Sequence, residues 1–220
     1  MEYLKPSNLL NLIISPTKVF QKIKEKPDFL VLLIFIPLIA GLSMLFLPKI
    51  SDEAILEYIK KITEDPQVQE ATLKTLKFTK SPIYLAGTTF LHYLISFLIA
   101  SFVLLIIVRL AGGEIDYRRS LTIVAVANLV MIPYFIFYVI YVRSTNLNML
   151  DVKMDFKYFV STYLNVFAIW RYVLIGIGVF AVCELSKLKS AIVTLIYSVV
   201  TLIMPIISIV VNNFTKFRGS

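Results

Sequence analysis

One cysteine (Cys183), one histidine (His92) and seven glycines in 220 residues remove whole classes of chemistry at the outset. A thiol redox site needs a second Cys and a zinc protease needs two His four residues apart. A nucleotide loop needs a Gly and Lys spacing that Gly112-Gly113 does not have. A lone Cys excludes a disulfide-stapled secreted domain. Charge is scarce too: 16% of the residues are Asp, Glu, Lys or Arg, where soluble chains carry about 25%. No catalytic residue, metal site or cofactor is expected, and the chain is not expected to be an enzyme.

What fills the sequence instead is apolar. Residues of that kind make up 58%, and the mean hydropathy is +0.82. A bilayer core about 30 Å thick needs roughly 20 apolar residues at 1.5 Å each. Five runs approach that length, at about 29–47, 83–108, 121–141, 166–184 and 191–211. The first, with some fourteen large apolar residues, is worth about −7 kcal/mol of insertion. Runs this long exclude membrane β-strands, which need only about 10 residues and alternate apolar with polar. The expected fold is all-α: a polytopic membrane protein of five spans, with kinks at Pro37, Pro133 and Pro205.

Three segments follow from this division. Residues 1–28 read as an amphipathic N-terminal segment, broken by Ser15 and Pro16 as helix cap and first helical residue. After the break Val19, Phe20 and Ile23 share one face, while Lys18, Lys22, Lys24 and Lys26 make a basic remainder, a pattern that suits a helix lying in the headgroup layer. Residues 29–211 form the membrane domain, and 212–220 a short tail. Between the first two spans, Ser51 with Asp52 and Glu53 starts one helix and Asp65-Pro66 a second, so a helical hairpin is expected over 51–80, outside the membrane.

Five spans put the termini on opposite faces. With the N-terminus in the cytoplasm, the inner segments hold ten Lys and Arg in 46 residues against eleven in 68 outside, so density favours that orientation. The formal net charge of +8, with Arg118 and Arg119 joining the four lysines at the membrane surface, reads as attraction to anionic lipid. Nucleic acid is not an expected partner.

Polar groups inside the spans are the remaining chemistry. Arg171 costs at least about 2.5–3.5 kcal/mol there unless it snorkels or finds partners. A fourth helix beginning near Val166 leaves it about a turn and a half inside, in a lipid-anchoring role. One beginning near Phe159 puts it at mid-depth, in a functional role; in either case its partners are neutral groups, backbone carbonyls, lipid phosphate, or an acid from a span end such as Asp151 or Asp155. His92 forms a stripe with Thr88 and Ser96 that either lines a wet path or bonds to a neighbouring helix. Asn128 either joins helices or bonds to Arg171. Cys183 reads as a small hydrophobe, with acylation as the alternative.

Taken in order, these pieces resemble the Yip (Ypt-interacting protein) family of five-span membrane proteins, as a prokaryotic-type member. The resemblance rests on Ser15, Pro16 and Phe20 before the first span. It continues with Gly112 and Gly113 closing the second, Ser120 to Asn128 and Pro133 in the third, and Trp170, Gly176 and Gly178 in the fourth. Ser186, Lys189 and Ala191 then lead into the fifth. It implies a cytoplasmic N-terminus, a C-terminus outside, and residence in the plasma membrane of a prokaryote. By resemblance, too, the expected role is non-catalytic: organising membrane or recruiting partners, as a scaffold in membrane trafficking or a binder of a small GTPase, alone or as a homo-oligomer. The alternative is a small transporter, channel or lipid-moving protein with a polar path past His92, Asn128 and Arg171.

Overall fold

The computed structural model describes residues 6–145, 147, 150, 152 and 155–217, and every regular element among them is a helix. Two short helices open the chain, α1 (Pro6–Ile14) and α2 (Pro16–Glu25). Ser15 stands at the junction as expected, but its hydroxyl makes no capping bond, and Pro16 supplies the helix start through its fixed φ. The apolar helix α3 (Leu30–Met44) follows, then α4 (Asp52–Lys60), α5 (Pro66–Thr79) and the long α6 (Pro82–Leu110). α7 (Tyr117–Asn128) and α8 (Met131–Ser144) come next, then α9 (Phe156–Tyr163), α10 (Val166–Val182) and α11 (Lys187–Phe217).

Three of these stretches are long and apolar enough to cross a membrane: Pro82–Leu110, Tyr117–Ser144 and Lys187–Ile207. A fourth is available if α9 and α10, bent by 51° at Leu164-Asn165, count as one broken span. The first expected span is shorter than the sequence suggested. α3 has 15 residues, about 22 Å against a core of about 30 Å, because the chain turns at 45–47 ahead of Pro48. The last helix is longer than expected and runs through 212–217, where a tail was read; residues 218–220 lie outside the described set. Pro133 falls in the first turn of α8, just after the chain leaves the helix at Leu129 and Val130. Its missing N–H is tolerated there. Pro37 and Pro205 lie inside α3 and α11.

The chain divides into two units. The first comprises residues 1–36, 94–132 and 154–220. Its centre is α7, where every residue from Ser120 to Asn128 is buried, with α2 and α10 packed on it and on each other, and α11 packed on α10. Ser120 donates to the Ser101 carbonyl at 2.6 Å, and Ser101 to that of Phe97 at 2.6 Å, so hydroxyls replace large side chains on this side of α7.

The second unit comprises residues 37–93 and 133–153. Gly41 lets α3 approach α6: a Cβ there would stand 2.8 Å from the Ala86 carbonyl oxygen. Tyr93 meets Phe135 edge to face at 5.3 Å. The α4–α5 hairpin belongs to this unit. Ser51 accepts from Ala54 N at 3.2 Å and Asp65 from Gln67 N at 2.9 Å, which are the two caps read from sequence. Lys77 pairs with Asp52 at 2.6 Å across the hairpin, over the buried Ile55 and Ile59.

Candidate functional site

The site begins with the apolar face of α2. Val19, Phe20 and Ile23 are each at most 1% exposed, and α2 packs on α10 and α7. Phe20 reaches a notch left by Gly178, where a Cβ would lie 3.0 Å from its ring and 2.8 Å from Ile123. Only a residue without a side chain admits the ring so close. The sequence reading laid this face in the headgroup layer, and the structure corrects it: the face is covered by protein. Apolar side chains gain little from leaving lipid for protein, so the notch holds α2 through packing. The exposed apolar stripe belongs to α1, where Leu10, Ile13 and Ile14 are exposed and Leu12 is buried.

Around this seat, cations meet helix ends. Arg119 donates to the Lys24 carbonyl at 3.1 Å, Lys189 to that of Ala111 at 3.3 Å, and Arg109 through two nitrogens to that of Ile115, each at 3.2 Å. The first two carbonyls close α2 and α6, where orphan acceptors and the negative end of the helix dipole favour a cation. Lys24 also pairs with Glu184 at 2.5 Å. That bond, and then the charge of the ammonium, hold the Glu184 carboxyl below its ordinary value of 4.5. Glu184 sits at φ 57, a left-handed backbone that a non-glycine residue adopts at some cost. Cys183 beside it is fully buried, which fits a small hydrophobe and leaves the thiol closed to acylation.

The family-motif residues gather partly here. Gly112, at φ +84, makes the turn that brings the Ala111 carbonyl to Lys189. Gly113 faces Leu185, and the Ser186 hydroxyl accepts from Lys189 N at 3.3 Å to start α11. Gly176 faces Thr194 further along α10. Trp170 lies near the opposite end of α10 with its indole N–H buried and lacking an acceptor among the described residues, and Pro133 is exposed on α8.

Of the six surface cations read from sequence, Lys24 and Arg119 are engaged with protein as described. Lys22 contacts Asn8 at 3.4 Å, and Arg118 stands 6.0 Å over the Phe29 ring. Lys18 and Lys26 are exposed.

The intramembrane polar candidates do not share a bond among the described residues. Asn128 returns its amide to the Val124 carbonyl of its own helix at 2.8 Å. Arg171 stacks on Tyr172 at 4.6 Å, its Nε without an acceptor. His92 is exposed on α6 against Tyr93, with ring centroids 5.9 Å apart. α10 begins at Val166, capped by Asn165, so Arg171 stands about a turn and a half from a helix start. Asp155 caps α9 through Tyr158 N, and Asp151 lies outside the described residues.

Sequence reasoning missed the Phe20–Gly178 notch and the Lys24–Glu184 pair. A Gly in an apolar span signals a close approach but not its visitor, and a pair 160 residues apart leaves no local signal. A family model described as Yip1 domain matches residues 10–209. Comparison with curated proteins and with solved structures gives no match.

Proposed function

The chain belongs to the Yip1 domain family, and from that premise we propose that it is a non-catalytic integral membrane protein that organises membrane or recruits partners at its basic end. The observation that carries this reading is the seating of α2. A helix only 10 residues long is held by the Gly178 notch, the Lys24–Glu184 pair and the Arg119 bond, so the segment before it stands in a fixed relation to the bundle. A docking surface gains from such preorganisation.

In this reading α3, α6, α7 with α8, α9 with α10, and α11 make five crossings, α3 being helped by the apolar residues at its ends. The N-terminus and the α2 seat lie in the cytoplasm and the α4–α5 hairpin outside. The apolar stripe of α1 rests in the interface, where exposed Leu and Ile are favoured. Exposed Lys18 and Arg118 supply the charge for an acidic partner or anionic lipid.

The test is capture from native membranes with mild crosslinking, in GTP analogue and in GDP, followed by mass spectrometry. The reading expects a partner captured by the wild type and lost with Lys18→Glu, and a GTPase enriched only with the analogue would identify a recruitment platform. An identical set of captured proteins for wild type and variant would overturn recruitment at this end.

A further inference from the structure

Between α10 and α11 an open-sided apolar groove of about 590 Å³ is bounded at one end by Lys187, Ser190 and Thr17 and at the other by Tyr172 and Ser198. Its length, Lys187 to Ser198 along α11, is about 16 Å at 1.5 Å per residue. That matches one leaflet of a hydrocarbon core about 30 Å thick.

The wall is apolar although α11 contributes hydroxyls. Thr194 and Ser198 each donate to the carbonyl four residues earlier in their own helix, both at 2.7 Å. Ser190 is different: it is 3% exposed, and its hydroxyl has no partner among the described residues. It lies one turn below Lys187, an exposed cation for which no ion pair occurs among the described residues. The result is a slot with a cation at the membrane surface, an unsatisfied hydroxyl just beneath it, and about a leaflet's depth of apolar wall.

We propose that this groove binds one anionic phospholipid, with its phosphate on Lys187, its glycerol ester region at Ser190 and Thr17, and one acyl chain along the wall toward Tyr172. The polar end selects the occupant. A second copy of this chain would have to bring an anion to Lys187, whereas an anionic phospholipid carries charge, ester acceptors and chain in that order. The unsatisfied Ser190 hydroxyl gains an ester oxygen, which removes the penalty of a buried donor without an acceptor.

Trp170 is the only tryptophan and follows Ile169, which lines the far end of the groove. The experiment places the full chain in phosphatidylcholine nanodiscs with a small fraction of phosphatidylglycerol or phosphatidylcholine brominated on the acyl chain, and reads quenching of Trp170. Brominated phosphatidylglycerol should quench more than brominated phosphatidylcholine at equal fraction. Lys187→Gln should lower that preference about fivefold, the worth of one cation near the surface. Ala191→Phe, at an exposed position lining the groove, should reduce quenching by both lipids. Lys60→Gln, exposed on α4 and off the groove, should change nothing, and circular dichroism confirms that each variant is folded. Equal quenching by the two lipids in the wild type, or a preference that survives both Lys187→Gln and Ala191→Phe, overturns the proposal. So does a disc population holding two chains whose Trp170 is shielded from both lipids, which would assign the groove to a second copy.

Discussion

The seat of α2 and the α4–α5 hairpin use the same materials and differ in what holds them. Each has a short helix after a polar-Pro or Ser start, an apolar face and a Lys–carboxylate bridge. In the hairpin the bonds that set the helices are local: Ser51 and Asp65 cap their own first turns, and α5 buries no residue. At the seat, the holding groups come from positions distant in sequence: Gly178 and Ile123 around Phe20, Arg119 on the Lys24 carbonyl, and Glu184 on the Lys24 ammonium. Local bonds set a helix, whereas distant ones set a helix in a place, and only the second arrangement makes the N-terminal segment part of the bundle.

The largest effect that this contrast predicts is at the notch. Phe20→Ala should cost about 3–5 kcal/mol, and Gly178→Val should be at least as damaging because its Cβ would stand 2.8 Å from Ile123. Thermal unfolding in a mild detergent reads both. In the hairpin, Ile59→Ala should cost about 2 kcal/mol, the low end for such a truncation, since one face of a two-helix unit covers it. It should show as faster proteolysis within 51–80 rather than as a shift of the main transition. If Ile59→Ala lowers the main transition as far as Phe20→Ala does, the contrast is wrong.

A smaller effect concerns acid. The Glu184 carboxyl is held below its ordinary value, so the stability it contributes is present in full above about pH 4.5 and is lost as pH falls through the lowered value. Glu184→Gln should remove this acid-side loss and leave the midpoint at neutral pH slightly reduced. Glu184→Gly should remove the same slope while relieving the left-handed backbone, and so should be the more stable of the two at low pH. Thermal midpoints of the three proteins from pH 3 to 7 decide it. The smallest effect is expected at His92, exposed on α6: His92→Leu should stay within about 0.5 kcal/mol of the wild type, and a larger loss would mean that the ring has a partner in the membrane.

How much of this was legible in the sequence follows the same division. The hairpin caps were readable because a cap and its helix are neighbours in the chain. The polar face of α2 was readable too, but not what covers Val19, Phe20 and Ile23, since an apolar face looks the same whether lipid or protein lies against it. The break before α10 is half visible in the sequence, which leaves the helix start open between Phe159 and Val166, whereas the Asn165 cap is seen only in the structure. The structure has both, as α9 and α10 with a bend between them. The motif glycines are legible as small residues in or just after spans; which ring fills Gly178 depends on a contact between residues 20 and 178 that no periodicity encodes.

The claim at the centre of the account is that α2 is fixed to the turn between α10 and α11. Zero-length carbodiimide crosslinking in native membranes, followed by digestion and mass spectrometry, tests it directly, because it joins only amines and carboxylates already in contact. Lys77 and Asp52, 2.6 Å apart in the hairpin, provide the internal control. The account predicts a Lys24–Glu184 linked peptide alongside the Lys77–Asp52 one, abolished by Lys24→Gln. Recovery of the hairpin link without the Lys24–Glu184 link would contradict it and return α2 to the membrane surface.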